Sequence, residues 1–155
     1  MPLDGSPLEQ LTNSMPTTSV STVLGPNGEA VYFAEGAFFD PGVSRVDLST
    51  GTVTPLLDAG TGRGRLFGMD INAQGNRLVA VSNVDLSTQR RLLSIDTTSG
   101  AVTRLFDRPV GNISGGGWKT TPDKTRVVFI GETETGGTAL YTQSIGVVPS
   151  RWIVN

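Results

Sequence analysis

The chain contains no cysteine and no histidine. Without cysteine there are no disulfides, thiolate metal sites or thiol nucleophiles, and the redox compartment stays undetermined. Without histidine there is no general base of the usual type near neutral pH, no Ser-His-Asp arrangement and no imidazole ligand for zinc, copper or iron. Lysine is scarce as well: only Lys119 and Lys124 occur, and the arginines are scattered. A formal net charge of -2 argues against a phosphate-binding face, so no nucleic-acid partner is expected. Long apolar runs are missing. None approaches the roughly 18 residues that cross a bilayer, and the opening "MPLDGSPLEQ" lacks the basic and apolar regions of a signal peptide. The expectation is a soluble chain of unassigned compartment, with no membrane partner and no cofactor. The chemistry that remains is that of carboxylates, Lys, Tyr and Arg, and binding.

What the chain does contain is repetition. "VDLSTGTVTPLLD" at residues 46–58 returns as "IDTTSGAVTRLFD" at residues 95–107, and a fixed period of about 20 to 50 residues marks stacked supersecondary units. A second phrase precedes each one. "LGPNGEAVYFAEG" begins at Leu24, "INAQGNRLVAVSN" at Ile71 and "TTPDKTRVVFIGE" at Thr120. Each is a turn rich in Pro, Asn, Gly or Asp, followed by a strand. The strands "AVYFA", "RLVAV" and "RVVFI" are nearly continuous apolar runs, as expected of strands covered on both faces. A third strand follows ("SRVDL", "LLSID", "ALYTQ"), then a Gly-containing turn and a fourth ("TVTPLL", "AVTRLF", "PSRWIV"). Weaker first strands lie around "VSTVL", "FGMDI" and "SGGGW".

Four strands in a unit of this length make the blade of a β-propeller. The expected fold is all-β: three four-stranded antiparallel blades at residues 20–64, 65–112 and 113–155. The segment 1–19 would supply an additional outer strand around residues 8–12. These residues also carry a resemblance. The Pro-Asp-Gly-like turn, buried strand, Asp-containing strand and "VTRL" after a Gly turn resemble the blades of TolB-like and WD-like propellers, from about Ser19 onward. The last unit departs from the pattern, with Gln143 and Ser144 where the others have Asp47 and Asp96. Such a resemblance implies the fold but no particular activity, since one scaffold hosts many.

Propeller topology separates two ends. Short regular turns lie at one; the other would carry "EGAFFDPGVS", "SNVDLSTQRR", "GETETGGT", "DAGTGRGR" and "DRPVGNISGGG", all expected as long loops, and long loops on a rigid scaffold tend to hold binding residues. The candidate ligand- or partner-binding residues are therefore Phe38, Phe39, Asp40, Arg63, Arg65, Asn83, Asp85, Arg108 and Asn112. The two phenylalanines would either fold back onto the blade edge or anchor a partner. The arginines would grip an anionic group through planar multidonor contacts, or pair with Asp58, Asp70 or Asp107. Glu132 and Glu134 offer oxygen ligands but lack the spaced pattern of a calcium loop, so no metal is assigned. Asp47 and Asp96 stand at equivalent repeat positions and are expected to be turn residues, not a catalytic pair. No catalytic residue is assigned. Trp118 and Trp152 are expected to fill space between blades.

Three functional classes fit these residues: a noncatalytic binding or assembly module for a protein, peptide or glycan; an accessory propeller of a hydrolase, lactonase or lyase; and a structural subunit. Three blades leave an open arc with apolar end faces. Completion is expected either from a second copy, closing a six-bladed ring, or from the rest of a longer propeller.

Overall fold

The computed structural model describes residues 10–11, 21–37, 40–57, 66–83, 89–106, 108–110 and 117–146, without describing the side chains of residues 35–41. They form eleven strands in three antiparallel sheets and no helix. Blade 1 runs β1 (Thr22–Leu24), β2 (Ala30–Ala37), β3 (Asp40–Asp47) and β4 (Val53–Leu57), in that spatial order. Blade 2 repeats it with β5 (Leu66–Ile71), β6 (Arg77–Asn83), β7 (Arg90–Asp96) and β8 (Val102–Arg104). Blade 3 shows β9 (Trp118–Thr120), β10 (Arg126–Glu132) and β11 (Thr138–Ser144). Its expected fourth strand, "PSRWIV", lies outside the described residues, as does Trp152. Gln10 and Leu11 carry no strand; the rest of the expected N-terminal strand lies outside the description. No described helix is long and apolar enough to cross a membrane.

The turns that open the blades are built three times over. Gly25, Asn72 and Thr121 each donate a backbone N–H to the first residue of the next strand, at 2.8 Å to Ala30, 2.9 Å to Arg77 and 2.9 Å to Arg126. Three residues further on, Gly28, Gly75 and Lys124 donate back to those positions at 3.0, 3.0 and 2.8 Å, with φ of 70°, 73° and 57°. Glycine takes that left-handed geometry without penalty. Lysine takes it at a cost of about 1–2 kcal/mol.

The outer turns match the repeated aspartates. Asp47 Oδ1 accepts the Ser49 N–H (2.9 Å), the Ser49 hydroxyl (2.6 Å) and the Thr50 N–H (3.2 Å). Asp96 Oδ1 accepts the Ser99 N–H (2.8 Å), the Thr98 N–H (3.0 Å) and the Ser99 hydroxyl (3.0 Å). Gly51 and Gly100 follow at φ 69° and 70°. Blade 3 has Ser144 where blade 2 has Asp96, in each case directly across the ladder from the first residue of the second strand.

The core lies between blades. On β6, Leu78 and Ala80 join Tyr32, Ala34, Val43 and Leu57 of blade 1, while Val79 and Val81 join Val127, Phe129 and Ile145 of blade 3. Alternation sends neighbouring side chains to opposite faces. The continuous apolar run of β6 is therefore buried on both sides. Trp118 packs within 3.4–3.9 Å of the space beside the Gly68 backbone, filling the second interface as expected of it.

One expectation is corrected. "EGAFFDPGVS" is not a long loop: β2 runs through Ala37, β3 begins at Asp40, and the ladder continues through Glu35 with Gly42, Gly36 with Pro41, and Ala37 with Asp40. Gly, Asp and Pro signal a turn locally. Here they sit in paired backbone, because continuing an established ladder satisfies donors and acceptors that a loop would leave to water.

Candidate functional site at the loop end of blades 2 and 3

The junction of blades 2 and 3 is closed by the chain that connects them. Val110 forms β-bridges to Arg90 of β7 on one side and Gly131 of β10 on the other. Its N–H donates to the Arg90 carbonyl at 2.9 Å, and the Glu132 N–H donates to the Pro109 carbonyl at 3.0 Å. The segment expected as an open loop is thus zipped into both blades along residues 108–110.

This zipper places Arg108 on an aromatic cluster. Phe106 meets Phe129 edge-on at 5.0 Å and Tyr141 at 4.8 Å, and Phe129 stacks on Tyr141 at 5.7 Å. The Arg108 guanidinium carbon lies 5.1 Å from the Phe106 centroid and 5.6 Å from that of Tyr141. Its Nη1 approaches Glu134 Oε1 at 3.8 Å, a long contact to a well-exposed carboxylate that adds little stability. At the same junction, Arg90 sits 4.0 Å above the Phe67 ring, close enough for a cation–π attraction of roughly 0.5–2 kcal/mol. Gly131 makes the arrangement possible: a Cβ there would come within 2.6 Å of the Phe106 ring.

Of the residues expected to form a site, two have described side chains. Arg108 is half-buried on this cluster and pairs loosely with Glu134; Asp58 and Asp107, two of its expected partners, lie outside the described residues. Asn83 ends β6 directly across the ladder from Arg90, and its buried Oδ1 has no hydrogen-bond partner among the described residues. Both therefore flank Arg90 and Val110. Asp40 begins β3 in the paired hairpin. Phe38, Phe39, Arg63, Arg65, Asp85 and Asn112 lie outside the described residues. Arg90, Phe67, Phe106 and Tyr141 were not among the expected site residues. Gly131 was the available signal, since a glycine inside a strand marks close approach of another group.

The described carboxylates with displaced titration are structural. Hydrogen bonds from the Ser49 hydroxyl and N–H, with those of Thr50 and Arg45, lower Asp47 to about 2. Asp96 is lowered by the N–H groups of Ser99 and Thr98, and Asp123 by the Thr121 hydroxyl and the Thr125 N–H and hydroxyl. At Asp70 burial pushes the pKa upward, but hydrogen bonds from Lys124, Thr120 and the Ile71 N–H outweigh it, and the net displacement is downward. Lys124 Nζ lies 2.7 Å from Asp70 Oδ2, tying blade 3 to blade 2. Each is held ionised, the opposite of what a general acid at neutral pH requires.

The repeated antiparallel sheets, of four, four and three described strands, stacked through apolar faces, define a β-propeller blade array. Among solved structures this array is similar to a putative TolB from Agrobacterium tumefaciens, at 16% identity and a TM-score of 0.61, covering 87% of this chain and 53% of that one. An oligogalacturonate lyase from Vibrio parahaemolyticus matches at 16% identity and TM-score 0.63, covering 96% of this chain and 40% of the other. A putative conserved lipoprotein from Clostridium novyi matches at 16% and 0.58, covering 88% of this chain and 91% of that one. At such identities the likeness is one of fold. The chain spans about half of the TolB and two-fifths of the lyase, an extent compatible with its being part of a longer propeller. No protein-family model matches the chain, and no curated protein sequence does.

Proposed function

We propose that this chain is a noncatalytic binding module whose loop end engages a protein, peptide or glycan bearing carboxylate or hydroxyl groups. The observation that carries this reading is the pair of arginines laid over aromatic faces, Arg108 on Phe106 and Tyr141 and Arg90 on Phe67, at one blade junction. Guanidinium groups supported in this way present planar donors at a fixed height, suited to carboxylates and to vicinal hydroxyls. Asn83 adds an amide beside them. At the short-turn end the Asp47, Asp96 and Asp123 carboxylates accept the hydrogen bonds of their own turns.

The test is a screen of the purified chain on glycan and peptide arrays, followed by calorimetry on the strongest hit with Arg90→Ser and Arg108→Ser. Each variant is expected to weaken binding by about tenfold or more, as loss of a charge-assisted contact does. Asp47→Asn, at the opposite end, should leave affinity unchanged. Binding indifferent to both arginines overturns the assignment of the loop end. Turnover of a pectic oligosaccharide by the chain would instead favour the enzyme class to which its lyase-like neighbours belong.

A further inference from the structure

Both interior interfaces obey one positional rule. Counting along the second strand of each blade from Ala30, Arg77 and Arg126, the third and fifth residues face the next blade, and the second and fourth face the previous one. Tyr32 and Ala34 share a core with Leu78 and Ala80; Val79 and Val81 share the next with Val127 and Phe129. Two faces are left over. The forward face of blade 3 carries Val128 and Ile130, with Leu140 directly opposite Ile130 on β11. The backward face of blade 1 carries Val31 and Phe33, within a row Leu24, Val31, Val46 and Val53 that crosses all four strands.

The blade 1 face is apolar along that row, and the blade 3 face sets Val128, Ile130 and Leu140 among Lys119, Arg126 and Thr142. The exposed large apolar side chains among the described residues are Leu11, Leu24, Leu48, Val53, Ile130 and Leu140. Apart from Leu11, all belong to the two end blades, and none belongs to blade 2. Leu140 is 73% exposed and Leu24 56%, while apolar surface left in water at the end of a stack ordinarily marks a contact.

We propose that the forward face of blade 3 docks on the backward face of blade 1 in a second copy of this chain, and reciprocally, so that two copies close a six-bladed ring. Continuity with the existing interfaces argues for this polarity: a forward face meets a backward face at both junctions already present. Six blades fall within the about four to eight of closed propellers, and twofold symmetry repeats the contact and leaves no free end. The middle of the blade 1 face, Phe33, Ser44 and Val46, is buried within one copy. The cover that docking adds on this face therefore falls at Leu24 and Val53. The inference concerns the stack ends and stands whatever the loop end binds.

Light scattering at micromolar concentration tests it, with Leu140→Asp in blade 3 and Leu24→Asp in blade 1. The parent is expected at twice the chain mass. Each variant should run as a folded monomer, checked by a cooperative melt. Mixing the two variants should restore dimer, since one of the two contacts in the mixed pair has both faces intact, with affinity reduced at least tenfold from the parent. A monomeric parent overturns the proposal and leaves further blades of a longer polypeptide as the occupant. A Leu24→Asp variant that stays as dimeric as the parent while Leu140→Asp dissociates also overturns it, because that pattern is a blade 3 to blade 3 contact. Array binding at the loop end that persists in the monomeric variants separates failure here from failure of the binding-module reading.

Discussion

The second strands of blades 2 and 3 are written almost alike, "RLVAVSN" and "RVVFIGE", yet they live differently. Every residue of β6 from Leu78 to Ser82 is buried, whereas on β10 Val127 and Phe129 are buried and Ile130 is 40% exposed. Composition therefore encodes a strand made to be covered twice. Place in the stack decides whether the second cover arrives. The same apolar side chain contributes fully to stability in the middle blade and little to the isolated end blade.

The largest effect expected of this difference comes from one substitution made in both places. Leu78→Ala should cost about 2–5 kcal/mol, the range for a fully buried leucine. Leu140→Ala, on the open face of blade 3, should cost under about 0.5 kcal/mol in dilute monomeric samples. Urea denaturation at low protein concentration measures both. Equal losses would erase the contrast between middle and end blades.

A smaller effect sharpens the comparison at the outer turns. Gly51 and Gly100 share the left-handed backbone, but a Cβ at Gly51 meets nothing within 4 Å, while one at Gly100 would lie 2.0 Å from the Leu56 carbonyl oxygen of the neighbouring blade. Gly51→Ala should cost about 1–2 kcal/mol from backbone strain alone. Gly100→Ala should cost more, because the middle blade's turn is packed against blade 1. Melting temperatures of the two variants decide it, and a Gly51 variant at least as destabilised as the Gly100 variant would remove the distinction.

The smallest effect probes how blade 3 is fastened. Asp70→Asn removes the charge that Lys124 grips and, with the lysine part-exposed and the pair screened by solvent, should cost about 0.5–1 kcal/mol at pH 7. The folded pKa of Asp70 lies below its unfolded value, so the unfolded chain binds the proton more readily. The carboxylate's contribution is thus complete above the unfolded value of about 3.9 and fades as pH falls through the folded one. Parent and variant stabilities, measured at pH 7 and again near pH 2–3, should converge at the acid end. A gap that stays constant would show that Asp70 acts by shape instead of charge.

Much of the fold could be read from the sequence because its signals are local. Asp47 and Asp96 announce their turns through residues two or three positions away, and the strands after "GPNG" and "AQGN" follow from apolar runs bounded by turn chemistry. The loop-end cluster was far less readable. Arg108 rests on Tyr141, and Asp70 reaches Lys124, across whole blades, so only the stacking brings them together. Lys124 also stands where the other blades have glycine, a substitution that propensity disfavours and that its ion pair with Asp70 helps offset. The paired ends of β2 and β3 were misjudged for the opposite reason: Gly36, Asp40, Pro41 and Gly42 are real turn signals, overruled by a ladder already in register.

The bridges at Val110 bear on how the protein opens and closes. In an ordinary solenoid each unit can fray from its neighbour at the cost of one interface, because the linker takes no part in either sheet. Here the linker is itself a rung between Arg90 and Gly131, so blade 3 cannot peel away without breaking main-chain pairing as well as side-chain packing. Blades 2 and 3 are accordingly expected to exchange as a single protected unit, with the Val110 and Glu132 amides opening together in a hydrogen-exchange measurement. Blade 1, joined to blade 2 by packing and by the hydrogen bond from the Met69 N–H to the Ser21 hydroxyl, has no such rung among the described residues and is the natural first point of local unfolding.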